Sequence, residues 1–206
     1  GSPASFYSSG RLPYMMTANV TIDGITEKIS LVTIHGKSGA GAADRSRREY
    51  DARVWKDTLQ AQYAGEKIIF LGDFNDDLDQ SITVGATSPY KNYVEDTIHY
   101  VAVTKALSDA RARSTVSFND VIDHQVITRP LKEEYITGSA HVITPFTFIR
   151  NYATTTSDHL PVITRYRMQA PVIAFVQPEI TLTEDSAVYT ITMVMNKPSS
   201  QAIHVP

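Results

Sequence analysis

A cluster of acidic and amide side chains follows a short apolar segment in the stretch KIIFLGDFNDD, residues 67–77. Oxygen donors placed there suit a solvated turn, a calcium-binding loop or a site for phosphate chemistry. Acids and an amide alternate as they do at the start of an EF-hand loop, but Leu78 stands where that loop needs glycine and Val84 where it needs glutamate. The pattern therefore disfavours calcium and leaves the turn and the phosphate site open.

Three further segments place ionisable side chains near the ends of predicted strands. His35 ends the strand in LVTIHG, Asp123 lies in VIDHQVIT, and Asp158 and His159 precede the strand in SDHLPVIT. Strand ends of this kind meet at one edge of a layered α/β sheet. A carboxylate among apolar residues needs a partner, and a histidine is the expected partner for Asp123. His124, on the opposite face of that strand, is predicted to be structural or exposed.

Strands and helices alternate along most of the chain. MMTANVTID and KISLVTIHG predict two strands joined by a turn at Asp23–Gly24, and KIIFLG predicts a strand that is buried on both faces. Between them, residues 44–63 predict an amphipathic helix that Asp44 caps. Its apolar face is predicted from Tyr50, Val54, Leu59 and Tyr63. The order of elements indicates an α/β or α+β class with a layered sheet.

Charged residues outside these candidates are expected to be solvated. Arg45, Arg47 and Arg48 near the helix start are predicted to form a solvent-facing surface, with a phosphate backbone as an alternative partner. Asp76, Asp77 and Asp79 are likewise predicted to be exposed loop acids.

The composition limits the classes of protein that the chain can represent. The 206 residues are 42% hydrophobic and 20% charged, which is ordinary for a globular protein. The net charge of -3 disfavours a protein that binds nucleic acid through a strong basic surface. No cysteine is present, which excludes disulfides and thiolate metal sites, and no apolar run is long enough to span a membrane.

The character of the sequence changes near residues 169–171. Beyond that point three short β-like runs follow without a helical pattern. We therefore expect a first domain over residues 1–168 and the start of a β-sandwich module over residues 169–206.

Four motifs in order, TIHGKSG, FLGDFND, VIDHQVIT and SDHLPV, resemble the endonuclease/exonuclease/phosphatase family of DNase-like nucleases, sphingomyelinases and inositol phosphatases. The resemblance covers residues 11–168 and implies half of a four-layer α/β sandwich with a mixed, mostly antiparallel sheet, followed by a short all-β segment. It implies hydrolysis of phosphate esters assisted by Mg²⁺ or Mn²⁺. DNA, RNA, a phospholipid and a small phosphate ester all remain open as substrates. The β-rich tail is typical of bacterial secreted or surface members, so an extracellular or cell-surface location is expected.

The resemblance also implies roles for individual residues. Asp73 and Asn75 match the pair that positions the water and the phosphate, and the Asn75 amide is expected to donate to a phosphate oxygen. His159 matches a base or transition-state donor, and Asp123 matches the carboxylate that orients a histidine. His35 matches a catalytic histidine that contacts phosphate.

The resemblance implies roles for two more residues, and one residue of the family has no counterpart. Asp158 matches a metal ligand and Arg11 a substrate contact. The family's principal metal-binding glutamate has no counterpart in the sequence, which resembles the C-terminal half of the catalytic domain. We therefore expect little activity from this piece, and an exposed sheet face covered by a homo-oligomer or by a missing N-terminal half. The alternative is a degenerate, non-catalytic binding or surface module of the same fold.

Overall fold

The computed structural model describes residues 10–177, 179, 181 and 190–196. The chain forms two compact units, residues 1–167 and 168–206. All of the candidate residues lie in the first unit.

The first unit is built from short strands and helices around one longer helix. Their bounds, in chain order, are β1 (Tyr14–Ile22), β2 (Ile25–His35), α1 (Ala42–Gln62), β3 (Ile68–Asp73), α2 (Lys91–Glu95), β4 (Tyr100–Val101), α3 (Lys105–Asp109), β5 (Asp123–Thr128), a 3₁₀ turn (Arg129–Leu131), β6 (His141–Val142), a second 3₁₀ turn (Pro145–Thr147), α4 (Tyr152–Thr155) and β7 (Val162–Ile163).

One five-stranded sheet, in the order β1-β2-β3-β5-β4, forms the centre of this unit. Strands β2 and β3 are parallel, and the other neighbouring pairs are antiparallel. A separate two-stranded sheet joins β6 to β7. The predicted α/β class with a mixed, mostly antiparallel sheet is therefore confirmed.

The first hairpin turns at Asp23 and Gly24, where the sequence predicts it. Both residues have positive φ, 52° and 78°, as a two-residue hairpin turn of the mirror-image type requires. The turn fixes the register in which Ile22 faces Ile25 and, at the far end, Tyr14 faces Thr33.

Helix α1 covers one face of the sheet with only part of the predicted set of side chains, since Leu59 is buried and Tyr63 packs against the core. The buried residues are Arg48, Ala52 and Leu59, whereas Tyr50 is 38% exposed. The prediction was wrong for Tyr50 because it counted only apolar side chains, and the inward stripe contains an arginine.

The start of α1 also differs from the prediction. Gly41 occupies the N-cap position, and Asp44 lies in the first turn of the helix. The carboxylate of Asp44 forms an ion pair with Lys37, 3.1 Å away. Asp44 therefore ties the helix start to the loop that follows β2, and it does not cap the helix.

The two faces of the sheet differ in burial. Under α1, the paired residues Val32, Phe70 and Val126 are at most 3% exposed. The opposite face carries a paired apolar row of Met16, Leu31, Ile69 and Ile127. Along that row Ile127 is fully buried, whereas Met16 is 46% exposed. Strand β3 is therefore fully buried on one face only, which corrects the prediction that both faces are buried.

A buried ion pair joins α1 to the loop after β3. Arg48 and Asp76 are both 0% exposed, and the Arg48 guanidinium donates to Asp76 Oδ2 over 2.9 and 2.6 Å. The same guanidinium donates to the carbonyl oxygens of Lys37 and Gly39. The prediction that Arg48, Asp76 and also Asp77 are solvated is wrong, because these charges satisfy one another or backbone groups inside the protein.

The second unit contains a small antiparallel sheet. Its strands are β8 (Ile173–Phe175) and β9 (Met193–Met195), and Ala174 pairs with Val194. Part of the tail in which the three short β runs are predicted, including residues 182–189, lies outside the described residues. The predicted short all-β segment is confirmed for the part of the tail that the structure describes.

We predict that Arg48→Met destabilises the protein strongly, because it leaves the Asp76 carboxylate buried without its cation. The free energy of unfolding is expected to fall by about 3–5 kcal/mol, as urea denaturation would measure. The control is Arg53→Met, since Arg53 pairs with Asp57 on the surface, where both side chains are more than half exposed. The Arg53→Met variant should lose less than about 1 kcal/mol of the free energy of unfolding. Equal losses in the two variants would contradict the role of the buried pair.

Candidate active site at one edge of the sheet

Three neighbouring strands bring His35, Asp73 and Asp123 into a single row. His35 pairs with Asp73 across the parallel strands β2 and β3, and Asp73 pairs with Asp123 across the antiparallel strands β3 and β5. Directly paired residues project to the same face of a sheet. The last residues of β2 and β3 and the first residue of β5 therefore share one edge and one face.

Gly72 allows the strands to approach closely beside this row. Its φ is +136°, and a Cβ at this position would overlap the carbonyl oxygen of Ile34 on β2. A side chain at position 72 would therefore push β3 away from β2. The glycine in FLGD keeps Asp73 next to His35.

Asp73 holds Asn75 in a tight turn. The backbone N–H of Asn75 donates to Asp73 Oδ1 and its amide nitrogen to Asp73 Oδ2, each over 2.8 Å. The amide nitrogen also donates to the carbonyl oxygen of Gly36, 3.1 Å away. Asn75 adopts a positive φ of 52°, which asparagine tolerates better than most residues. Both amide hydrogens of Asn75 are therefore bonded inside the protein, and neither is left for the expected hydrogen bond to a phosphate oxygen. The Oδ1 atom of Asn75 remains as an acceptor.

Asp123 and His159 form a hydrogen-bonded pair beside Asp73. The Nδ1 atom of His159 lies 3.0 and 2.9 Å from the two carboxylate oxygens of Asp123. The backbone of His159 is held in turn, since its N–H donates to Ser157 Oγ and its carbonyl oxygen accepts from Tyr152. Because Nδ1 faces Asp123, Nε2 is the ring nitrogen that remains for a ligand.

The charges of this group shift the pKa values of its members. Burial lowers the pKa of His159, but the hydrogen bond and the charge of Asp123, with the charges of Asp73 and Asp158, outweigh it and raise the pKa above its usual value. Burial raises the pKa of Asp73, and the charge of Asp123 adds to that effect against the hydrogen bond from Asn75. The site therefore keeps His159 protonated up to a higher pH than an isolated histidine.

His35 is bound on both sides of its ring. Arg11 Nη1 lies 2.6 Å from His35 Nδ1, and His35 Nε2 lies 3.4 Å from Asp73 Oδ2. Because a guanidinium is only a donor, Nδ1 must accept and Nε2 carries the proton that faces Asp73. Arg11 and His35 are both exposed, so this end of the row is open to a ligand.

Asp158 lies next to this group but forms a different set of contacts. Its carboxylate is exposed, and its carbonyl oxygen accepts from the backbone N–H of Val116 over 2.8 Å. Within the part of the chain that the structure describes, no group of three histidine, aspartate or glutamate side chains is placed to hold a metal ion. The described residues therefore do not complete a metal site, and the ligand role of Asp158 stays a prediction.

Sequence reasoning missed the residues that hydrogen-bond to the candidate site residues or to their loops. Ser114 donates to Asp123 Oδ2 over 2.7 Å, and Asp76 anchors the loop that contains Asn75. His124, predicted to be structural or exposed, is fully buried, and burial lowers its pKa to about 3. Neither Ser114 nor Asp76 stands in a sequence pattern that separates it from an ordinary loop residue.

The chain is similar to known proteins in structure and not in sequence. No protein-family model and no curated protein matches the sequence. An endonuclease/exonuclease/phosphatase from Beutenbergia cavernae superposes with a TM-score of 0.52 at 20% identity, over 78% of this chain and 41% of that one. An AP endonuclease from Archaeoglobus fulgidus superposes with a TM-score of 0.50 at 15% sequence identity, over 78% of this chain and 73% of that one. An endonuclease/exonuclease/phosphatase from Bacteroides vulgatus superposes with a TM-score of 0.52 at 15% sequence identity, over 77% of this chain and 56% of that one.

The chain therefore has the endonuclease/exonuclease/phosphatase fold, and the resemblance in the four motifs is confirmed at the level of the fold. It spans less than half of the Beutenbergia cavernae protein and just over half of the Bacteroides vulgatus protein. No helix among the described residues is long and apolar enough to cross a membrane.

We predict that Asp123→Asn lowers the pKa of His159, because it removes both the carboxylate charge and the charge-assisted hydrogen bond. The imidazole C2 proton of His159, followed by NMR over a pH series, would report the change. Asp109→Asn is the control, since Asp109 is an exposed acid that pairs with Lys105. The pKa of His159 should not move in the control. A pKa that is also unchanged in Asp123→Asn would show that the two side chains are not in contact.

Proposed function

We propose that the chain carries part of the active site of a phosphate-ester hydrolase, a nuclease or another phosphodiesterase, within a longer protein. One observation supports this most strongly. The hydrogen-bonded Asp123–His159 pair lies beside the Asp73–Asn75 pair at one edge of a sheet with the endonuclease/exonuclease/phosphatase fold. An oriented imidazole next to an oriented amide is suited to proton transfer and to placing a water molecule near a phosphate.

His159 is proposed to move the proton. Asp123 holds its Nδ1–H and fixes the tautomer, so that Nε2 acts as a base when neutral and as a donor to phosphate when protonated. The raised pKa extends the protonated form to higher pH than in an isolated histidine, and that form would stabilise negative charge that develops on the phosphate.

Asp73 and Asn75 are proposed to orient water. Asp73 holds both the backbone and the amide nitrogen of Asn75. The amide oxygen that remains accepts a hydrogen from a water molecule and thereby directs the oxygen of that water towards phosphorus. Arg11 and His35, at the open end of the row, are proposed to contact the substrate, with the guanidinium of Arg11 attracting its negative charge.

Mg²⁺ or Mn²⁺ is the metal that the fold suggests, and it would neutralise phosphate charge. Asp158 is the proposed ligand from this chain, and the remaining ligands would come from outside the described residues. DNA, RNA, a phospholipid or a small phosphate ester all suit the group of residues. We also propose an extracellular or cell-surface location, on the basis of the predicted β module in the tail.

A second candidate is a non-catalytic binding module of the same fold. The described residues lack a group of three metal ligands, and this observation favours that alternative. A full-length protein that binds phosphate esters without hydrolysing them would establish the second candidate and reject the first.

We predict that His159→Ala or Asp73→Ala in the full-length protein lowers the rate of divalent-metal-dependent hydrolysis of a phosphodiester by about 10²–10⁴-fold, since each removes an oriented group. A chromogenic phosphodiester assay would measure this. The control is Asp79→Ala, because Asp79 is an exposed acid in the same loop. Near-normal rates in the first two variants, or an equal loss in the control, would reject these roles.

We further propose that the partly exposed face of the sheet binds a second protein surface, either another copy of this chain or another sheet of the longer protein. Light scattering of the 206-residue chain is expected to give a mass above that of one chain, because the apolar row is exposed at Met16 and only partly buried at Leu31 and Ile69. Met16→Lys should shift the mass towards one chain, and Asp57→Lys on the exposed side of α1 should not. A monomer at all concentrations would count against association between copies.

A further inference from the structure

Ser114 is a fully buried serine whose side chain bonds to Asp123 and whose backbone carbonyl bonds to Leu160, the residue that follows His159. We infer that Ser114 is the positioning residue that sets the geometry of this pair. The inference rests on the proposed function only where it concerns a reaction rate, and its structural part stands on contacts alone.

The hydroxyl of Ser114 has one direction in which to donate. The backbone N–H groups of Ile122 and Asp123 donate to its oxygen over 2.9 and 3.1 Å. A serine oxygen has two lone pairs and one proton, so these two donors occupy its acceptor positions. The proton is left for Asp123 Oδ2, 2.7 Å away. The backbone at the start of β5 thus aims the hydroxyl at the carboxylate.

The hydrogen bond to Ser114 fixes the rotation of the Asp123 carboxylate. Both carboxylate oxygens then lie within 3.0 Å of His159 Nδ1. Without the hydroxyl, His159 would be the one side chain among the described residues that bonds to the carboxylate, and the χ2 angle would be less restricted, since terminal torsions of this kind have broad energy wells. The hydroxyl therefore converts a mobile acid into an oriented one.

The backbone of Ser114 holds the other member of the pair. Its carbonyl oxygen accepts from the N–H of Leu160 over 2.7 Å, and the next residue, Thr115, forms an antiparallel bridge with His159. Val116 completes the short ladder by donating to the carbonyl oxygen of Asp158. Residues 114–116 therefore hold residues 158–160, which we call the histidine loop, next to the start of β5.

The test compares Ser114→Ala with Ser114→Thr, because threonine keeps the hydroxyl. The readout is the His159 Nδ1 proton in the ¹H NMR spectrum of the 206-residue chain, since a proton shared with a carboxylate resonates at low field. We expect the low-field signal in the native chain and in Ser114→Thr, and its loss in Ser114→Ala. The matched control is Ser30→Ala. Ser30 is a buried serine in the middle of β2 that bonds to Thr17 on β1, and its replacement should leave the signal unchanged.

A rate measurement on the full-length protein extends the test. Ser114→Ala is expected to lower kcat by about tenfold or more with little change in KM, because the hydroxyl acts through Asp123 and touches no substrate. Ser114→Thr should restore most of the rate. A merely structural loss would not be restored selectively in this way.

Three results would overturn the inference. These are a folded Ser114→Ala that keeps the low-field signal, a Ser114→Thr that loses it, and a Ser114 hydroxyl proton in the native chain that exchanges rapidly with solvent. The last two apply even if Ser114→Ala does not fold. A native chain that shows the signal while the full-length protein hydrolyses no phosphate ester would reject the proposed function and leave the positioning role intact.

Discussion

The registers of β2, β3 and β5 are the constraint on which the site depends. They place His35, Asp73 and Asp123 side by side, and a slip of one residue in β3 or β5 would send Asp73 or Asp123 to the face that α1 covers. Gly72 keeps the two parallel strands close enough for this alignment, because a side chain there would strike the backbone of β2. The remaining members, Asn75 and His159, are then attached to this row by hydrogen bonds to Asp73 and Asp123.

Buried polar residues support the loops that leave this edge. Asp76 accepts from the backbone of Ile82 and pairs with Arg48, whose guanidinium also binds the carbonyls of the loop after β2. Ser114 performs a similar task for Asp123 and the histidine loop. Groups that bind substrate are precise only when such a supporting layer holds their orientation. In this protein the supporting layer consists of buried charged and hydroxyl side chains, at positions where most protein cores have apolar ones.

The sequence predicted the strands β1, β2, β3 and β5, the hairpin turn and the fold class correctly, because apolar runs of strand length and the Asp23–Gly24 pair report on local backbone geometry. It did not predict the two-residue strand β4, which forms only by pairing with the distant β5. It also singled out Asp73, Asn75, Asp123 and His159, since each stands beside a predicted strand in a motif. It failed where burial depends on distant partners. Arg48 and Asp76 are 28 residues apart, and nothing local distinguishes an arginine that is buried by such a partner from one on a solvated helix face. The same holds for Ser114, whose role follows only from the three segments that meet around it.

A crystal structure of the full-length protein with a non-hydrolysable phosphodiester analogue would test the central claim most directly. That claim is that the Asp123–His159 and Asp73–Asn75 pairs form one phosphate site. We expect the phosphorus atom beside Nε2 of His159, with a water molecule between it and Oδ1 of Asn75, and with the carboxylate of Asp123 still bonded to Nδ1. A phosphate bound away from this edge of the sheet, or a His159 turned away from Asp123 in the complex, would contradict it.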